Sequence, residues 1–287
     1  MRPDPRDVPR SEPRPPARVR PAHVAVVASG RSGVGTSVCA ALLALECAAR
    51  GRRVLLIDGN EGHGLQHELF GVRPLRLLES LRDAQVAVTD VCTSLGDAFT
   101  VVACAPTTHG IRAFSREMHA MPWERLLVLS ADYDCVIVDG GSRLDNIRAI
   151  ATSGAGRAVL VTDTDSMSLA ATFALIKALH VDAPALSGAV LVNRRDAGPA
   201  ERASAQITDA CHHFLAKDIP LAGCVPDDPS LSAAIGAGML IGDAAQGSPA
   251  AAAMKPLALT VFPFLSDPVA ATPVSPPSHD IRRRSLS

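Results

Sequence analysis

The sequence predicts an α/β protein, a doubly wound, mostly parallel sheet with helices on both faces. Three observations lead there. Short β-branched runs are apolar on both faces, as strands buried inside a parallel sheet must be. Helix-length Ala/Leu segments alternate with them. A glycine-rich turn separates the first strand from the first helix, where such folds keep their ligand chemistry. With 287 residues, 47% of them hydrophobic, the chain can bury a core that folds unaided.

In chain order, residues 1–21 mix Arg, Pro and acidic residues without apolar period, which predicts a disordered arm. The first strand is expected at His23–Ala28 and the first helix at Ser37–Arg50, stopping before Gly51. Strands follow at Arg53–Asp58, Thr100–Ala103, Cys135–Asp139, Arg157–Thr162, Gly188–Asn193 and Leu221–Val225. Helices are expected at Ser166–His180, opened by serines suited to capping, at Ala200–Ala216 and at Ser230–Gly238. Leu257–Leu265 is broken by Pro263 and flanked only by Lys255, so it reads as a helix end capping the core and not as a membrane-surface helix. Residues 266–287 form a Pro/Ser-rich tail, expected to be disordered, with a solvated Arg282–Arg284 run. One domain, 22–265, is left between.

Composition excludes several functions. A formal net charge of −1 argues against a generic polyanion binder, which needs surplus Lys and Arg. Aromatic residues at 3% leave no base-stacking platform. Seven dispersed cysteines read as reduced thiols, without disulfide or zinc spacing. The histidines, including His63, His67 and His212-His213, lack metal-ligand partners at suitable spacing. No G-x-S-x-G elbow supports a hydrolase triad. The arm has no apolar signal region, and no apolar run reaches the roughly 20 residues of a membrane span. A cytoplasmic protein is expected.

The informative segment is Ala28-Ser-Gly30-Arg31-Ser32-Gly33-Val34-Gly35-Thr36-Ser37. Between a strand and a helix, such a loop turns successive amides inward and adds the positive potential of a helix N-terminus, a phosphate cradle. Against G-x-x-x-x-G-K-[ST], Gly30, Gly35 and Ser37 fit, and Thr36 stands at the lysine position.

The loop resembles the deviant Walker A, K-G-G-x-G-K-[ST], of the MinD/ParA family of dimeric P-loop ATPases. Arg31 stands where that family's signature lysine reaches across the dimer, Ser32 replaces a glycine, and Gly33, Val34 and Gly35 match. Leu56-Ile57-Asp58-Gly59-Asn60 is similar to the family's L-[IL]-D-x-D, with Asn60 at the aspartate that positions the attacking water. Val136–Gly141 resembles the Walker B run. The resemblance implies ATP or ADP with Mg2+ as ligands, the metal at Ser37, Asp58 and Asp139. Leu191-Val192-Asn193-Arg194 matches V-x-N-R, implying nucleotide contact by Asn193 and Arg194 with the Asn facing adenine. Val161–Leu169, leading into Ala174–Leu179, is similar to the flagellar-number regulators (FlhG, also called FleN), and Leu221–Asp228 resembles the L-x-G-x-I-P-x-D close of the family's fold.

An ammonium on the phosphates makes bonds about twice as strong as a neutral hydroxyl can, and no lysine precedes Lys177. Arg31 is the candidate substitute, in its own subunit or across a dimer. Asn60 can hold a water but cannot take its proton, and Glu61 beside it is a candidate to compensate. The expectation is a weak or inactive ATPase that keeps the parts for binding ATP or ADP, with the binding itself weak or lost as the alternative. As implied by the resemblance, it regulates flagellar number and placement through nucleotide-dependent dimerisation and partners such as the FlhF GTPase, switch-complex proteins and a transcription activator. It would be cytoplasmic or peripheral at the inner membrane or cell pole, with membrane association weak at most. The D-Q-A-x-x-L run through which many such regulators activate FlhF is missing from residues 1–21, against that role. An active ParA-type DNA-partitioning ATPase and an accessory of cellulose secretion or pilus assembly are the alternatives.

Overall fold

The computed structural model describes residues 23–106 and 116–267, with backbone alone for 116–121. The expected arm 1–21, and the tail from 268 on, lie outside the described residues.

Eight strands form one sheet: β1 (Val24–Ser29), β2 (Val54–Asp58), β3 (Cys92–Ser94), β4 (Phe99–Val102), β5 (Cys135–Gly141), β6 (Arg157–Thr162), β7 (Ser187–Asn193) and β8 (Leu221–Val225). Their spatial order is β3-β4-β2-β5-β1-β6-β7-β8. Every pairing is parallel except β3 with β4. All seven strands expected from sequence are present. The edge strand β3 was not expected: three residues are too few to show a period, and it is antiparallel, so no crossover helix announces it.

Among the described residues ten α-helices fill the connections: α1 (Thr36–Ala49), α2 (Gln66–Leu69), α3 (Arg116–Leu127), α4 (Leu144–Thr152), α5 (Ser166–Asp182), α6 (Ala197–Leu215), α7 (Pro229–Gly236), α8 (Ile241–Ala244), α9 (Pro249–Ala252) and α10 (Met254–Val261). The cap of α5 is Asp165, one residue before the serines, its carboxylate accepting from the Ser168 amide at 3.0 Å. Alternate residues of β1 enter opposite cores. Val24, Val26 and Ala28 pack beneath α3 to α6, while Ala25 and Val27 pack beneath α1, α7 and α10. Leu257, Val261, Phe262 and Leu265 are buried in that second core, and Arg52 donates to the carbonyls of Phe264 and Asp267. Ser266 and Asp267 are exposed, and the Arg52 bonds tie this stretch to the start of β2.

From β1 the chain turns toward β2 on one side, and after β5 it crosses to β6 on the other. The strand order reverses around β1, which opens a crevice at the C-terminal ends of β1 and β5. The glycine loop sits at that point.

Candidate functional site

The loop is built around two close approaches. Gly30 lies against the backbone of Ala171 and Thr172 in α5, leaving no space for a Cβ. Gly35 has φ +90 and lies beneath the Asn193 amide group, so a side chain there is excluded both by conformation and by contact. Gly35 is also the N-terminal cap of α1, and no side chain caps this helix end. The amides from Gly33 to Val38 find no acceptor among the described residues; the first amide of this stretch to be satisfied is that of Cys39, bonded to the Gly35 carbonyl at 3.0 Å. Thr36 and Ser37 are buried. Unpaired amides in a partly buried turn suit an anion.

The carboxylates come from neighbouring strands, since Asp58 of β2 pairs in register with Asp139 of β5. Both are fully buried. One Asp58 oxygen accepts from the amides of Leu65 and Gln66 at 2.8 and 2.9 Å; the other accepts from Asn60 N and Cys104 Sγ, each at 3.2 Å. Asp139 accepts from Gly141 N at 3.1 Å and from Gln66 Nε2 at 3.0 Å, and the Ser37 hydroxyl favours its charged form. Burial pushes both carboxyls above their usual range, and Asp139 pushes Asp58 further. Two such groups side by side are relieved by a proton or a cation. The sequence reading missed Gln66. Its amide nitrogen joins Asp139 to the Ser37 carbonyl at 2.9 Å, and its Oε1 is buried with no partner. A glutamine between Leu65 and Leu69, just past the Asp58 strand, was the available signal. The free loop amides, the Ser37 hydroxyl, the carboxylate pair and that lone Oε1 fit a phosphate with a hydrated divalent cation.

The remaining expected residues are differently engaged. Thr36 donates its hydroxyl to Ser29 Oγ at 2.8 Å, and the Ser29 hydroxyl in turn donates to the Arg31 carbonyl at 2.9 Å, with the Gly141 carbonyl as a second acceptor at 3.3 Å. Thr36 thus braces the loop. Arg31 is half exposed and turned to α5, 3.1 Å from Asp165 Oδ1 and 3.4 Å from Ser168 Oγ. Ser32 and Gly33 are exposed at the rim and Val34 is buried. Asn60 packs on Gly141 and donates to the His63 carbonyl at 3.4 Å. Glu61 does not stand in for the missing aspartate: both its oxygens accept from Arg82, at 2.9 and 2.8 Å, in a buried pair. Asn193 is spent inside the protein, its Nδ2 on the Val34 carbonyl at 2.8 Å and its Oδ1 on the Arg194 amide at 3.0 Å. Asn193 thus braces the loop from the end of β7.

Residues 25–241 match the model of the CobQ/CobB/MinD/ParA nucleotide binding domain. The chain belongs to this family. Among curated proteins it is 27% identical over 254 residues to the antiactivator FleN of Pseudomonas aeruginosa, covering 87% of this chain and 90% of that one. Among solved structures it resembles the cell division ATPase MinD of Pyrococcus furiosus, with a TM-score of 0.69 and 22% identity over 85% of this chain and 99% of the other. It also resembles MinD of Pyrococcus horikoshii in complex with Mg-ADP, with a TM-score of 0.70 and 20% identity over 87% and 99%. As a family member the chain has the P-loop fold with a nucleotide-binding domain, and the glycine loop, Asp58 and Asp139 lie in that domain. No helix among the described residues is long and apolar enough to cross a membrane.

Proposed function

We propose that this protein is a nucleotide-binding regulator of flagellar biosynthesis that holds ATP or ADP with Mg2+ and hydrolyses it slowly or not at all. The likeness to FleN across nearly all of both chains supports the flagellar assignment. The state of the site supports the rest. In this reading the turn from Gly30 to Ser37 holds the phosphates, and Ser37, Asp58 and Asp139 hold the metal, directly or through its waters. Bound Mg2+ supplies charge that neutralises the phosphate oxygens. Thr36 offers no ammonium, Asn60 no carboxylate, and Glu61 is neutralised by Arg82. Phosphoryl transfer depends mainly on positioning and electrostatic stabilisation, and both reagents for that are reduced while the cradle is intact.

The consequence is a switch driven by occupancy. A nucleotide shifts the balance between monomer and dimer only by its differential affinity for the two. Arg31, now held by Asp165 of its own chain, is the residue a dimer would re-pair. The dimer would then engage a transcription activator, the FlhF GTPase or switch-complex proteins. The test is deletion in the flagellated host, with filaments counted by electron microscopy. The expected result is an altered number or placement of filaments that a wild-type copy restores; unchanged filaments would overturn the flagellar reading.

A further inference from the structure

We propose that Arg194 supplies the cation for the phosphates in this site, in place of the ammonium missing at position 36; the inference rests on the nucleotide-binding reading above. Arg194 stands directly after β7, with φ +60, an uncommon conformation for a side-chain-bearing residue. Asn193 holds it there, accepting the Arg194 amide while its own amide fixes the Val34 carbonyl of the loop. The side chain then crosses to the loop, with Nη2 4.0 Å from the position a Gly35 Cβ would occupy. Its charge reaches Cys39, one turn into α1: burial pushes that thiol up to about 12, and Arg194 is the opposing influence.

What sets Arg194 apart is that its guanidinium has no hydrogen bond or ion pair among the described residues. Arg31 is taken by Asp165 and Ser168, and Arg195 by Asp163 and Thr164. A free guanidinium therefore faces a helix N-terminus and a run of free amides, all of positive potential. That arrangement is unfavourable until an anion lies between them. A guanidinium suits phosphate because its fork can donate two parallel bonds. The charge lost from the loop thus returns from residue 194, more than 150 positions further along the chain.

The test is displacement of a fluorescent ATP analogue from the full-length protein by ADP, pyrophosphate and adenosine, for wild type, Arg194→Ala and Arg194→Lys. Arg194 is exposed, and alanine meets the same backbone restraint at φ +60, so folding is checked simply by circular dichroism. One charge-assisted contact corresponds to roughly 10- to 100-fold in affinity. Arg194→Ala should weaken ADP and pyrophosphate by that factor and leave adenosine unchanged, with Arg194→Lys recovering part of the loss. Unaltered ADP affinity in Arg194→Ala, or an equal loss for adenosine, overturns the inference while wild-type binding upholds the broader reading. Wild-type protein that never binds the analogue, or from which ADP displaces none of it, overturns both.

Discussion

Thr36→Lys restores the family residue and should move stability in opposite directions with and without ligand. Without nucleotide, the variant loses the hydroxyl bond from Thr36 to Ser29, 2.8 Å long and buried. Such a bond is worth about 0.5–1.5 kcal/mol, and in a domain of this size that lowers the melting temperature by roughly 2–5 °C. With saturating Mg-ATP, the new ammonium adds a charge-assisted contact of about 1.5–3 kcal/mol, which is a 10- to 150-fold gain in affinity. Linkage returns that gain as added stability when ligand is in excess. The melting curves should therefore cross, the variant melting below wild type alone and above it with nucleotide. Differential scanning fluorimetry with calorimetric affinities reads both quantities. A variant that melts below wild type by the same margin with and without Mg-ATP would refute the placement of position 36 at the phosphates. In an Arg194→Ala background the gain should be larger than in wild type, because neighbouring charges that serve one anion do not contribute additively.

Other perturbations follow from the same contacts. Gly35→Ala forces a side chain into φ +90 and onto the Asn193 amide; the strain and the displaced Val34 bond should cost about 2–4 kcal/mol in urea unfolding, and a loss below 1 kcal/mol would contradict the tight approach. Asp228 caps α7, accepting from Leu231 N at 2.9 Å and from Ser248 Oγ at 2.6 Å, and the Ser248 bond chief among these holds its carboxyl below the usual range. A depressed carboxyl stabilises the fold above its unfolded pKa near 3.9, and that contribution disappears as pH falls through the lower folded value. Asp228→Ala should therefore cost about 1 kcal/mol at pH 7, with the gap to wild type narrowing below about pH 4; a gap independent of pH would refute the assignment.

Periodicity disclosed the sheet because its central strands are apolar on both faces, and β1, β2, β5 and β6 each carry that signature. The loop was equally legible, since its glycines fall at the spacing of a phosphate-binding turn between a strand and a helix, although the contacts that exclude a side chain at 30 and 35 come from distant residues. Long-range pairing was hidden. Whether Glu61 could act depended on Arg82, and the brace that Asn193 gives the loop depended on Val34, partners that no spacing rule connects. Gln66 escaped notice for a related reason, as its value lies in touching Ser37 and Asp139 at once. Helix α4 was missed because its apolar stripe is short and its first turn is Leu-Asp-Asn, with no capping side chain before it.

The central claim is that the cradle holds a nucleotide it barely splits. Equilibrium dialysis of the wild-type protein against radiolabelled ATP and Mg2+, with the bound nucleotide extracted and separated over time, tests this in a single sample. The account predicts stoichiometric label that is still ATP long after the repaired Thr36→Lys/Asn60→Asp protein has converted its own to ADP. Conversion by wild type as fast as by the repaired protein, or no retained label at all, would contradict it.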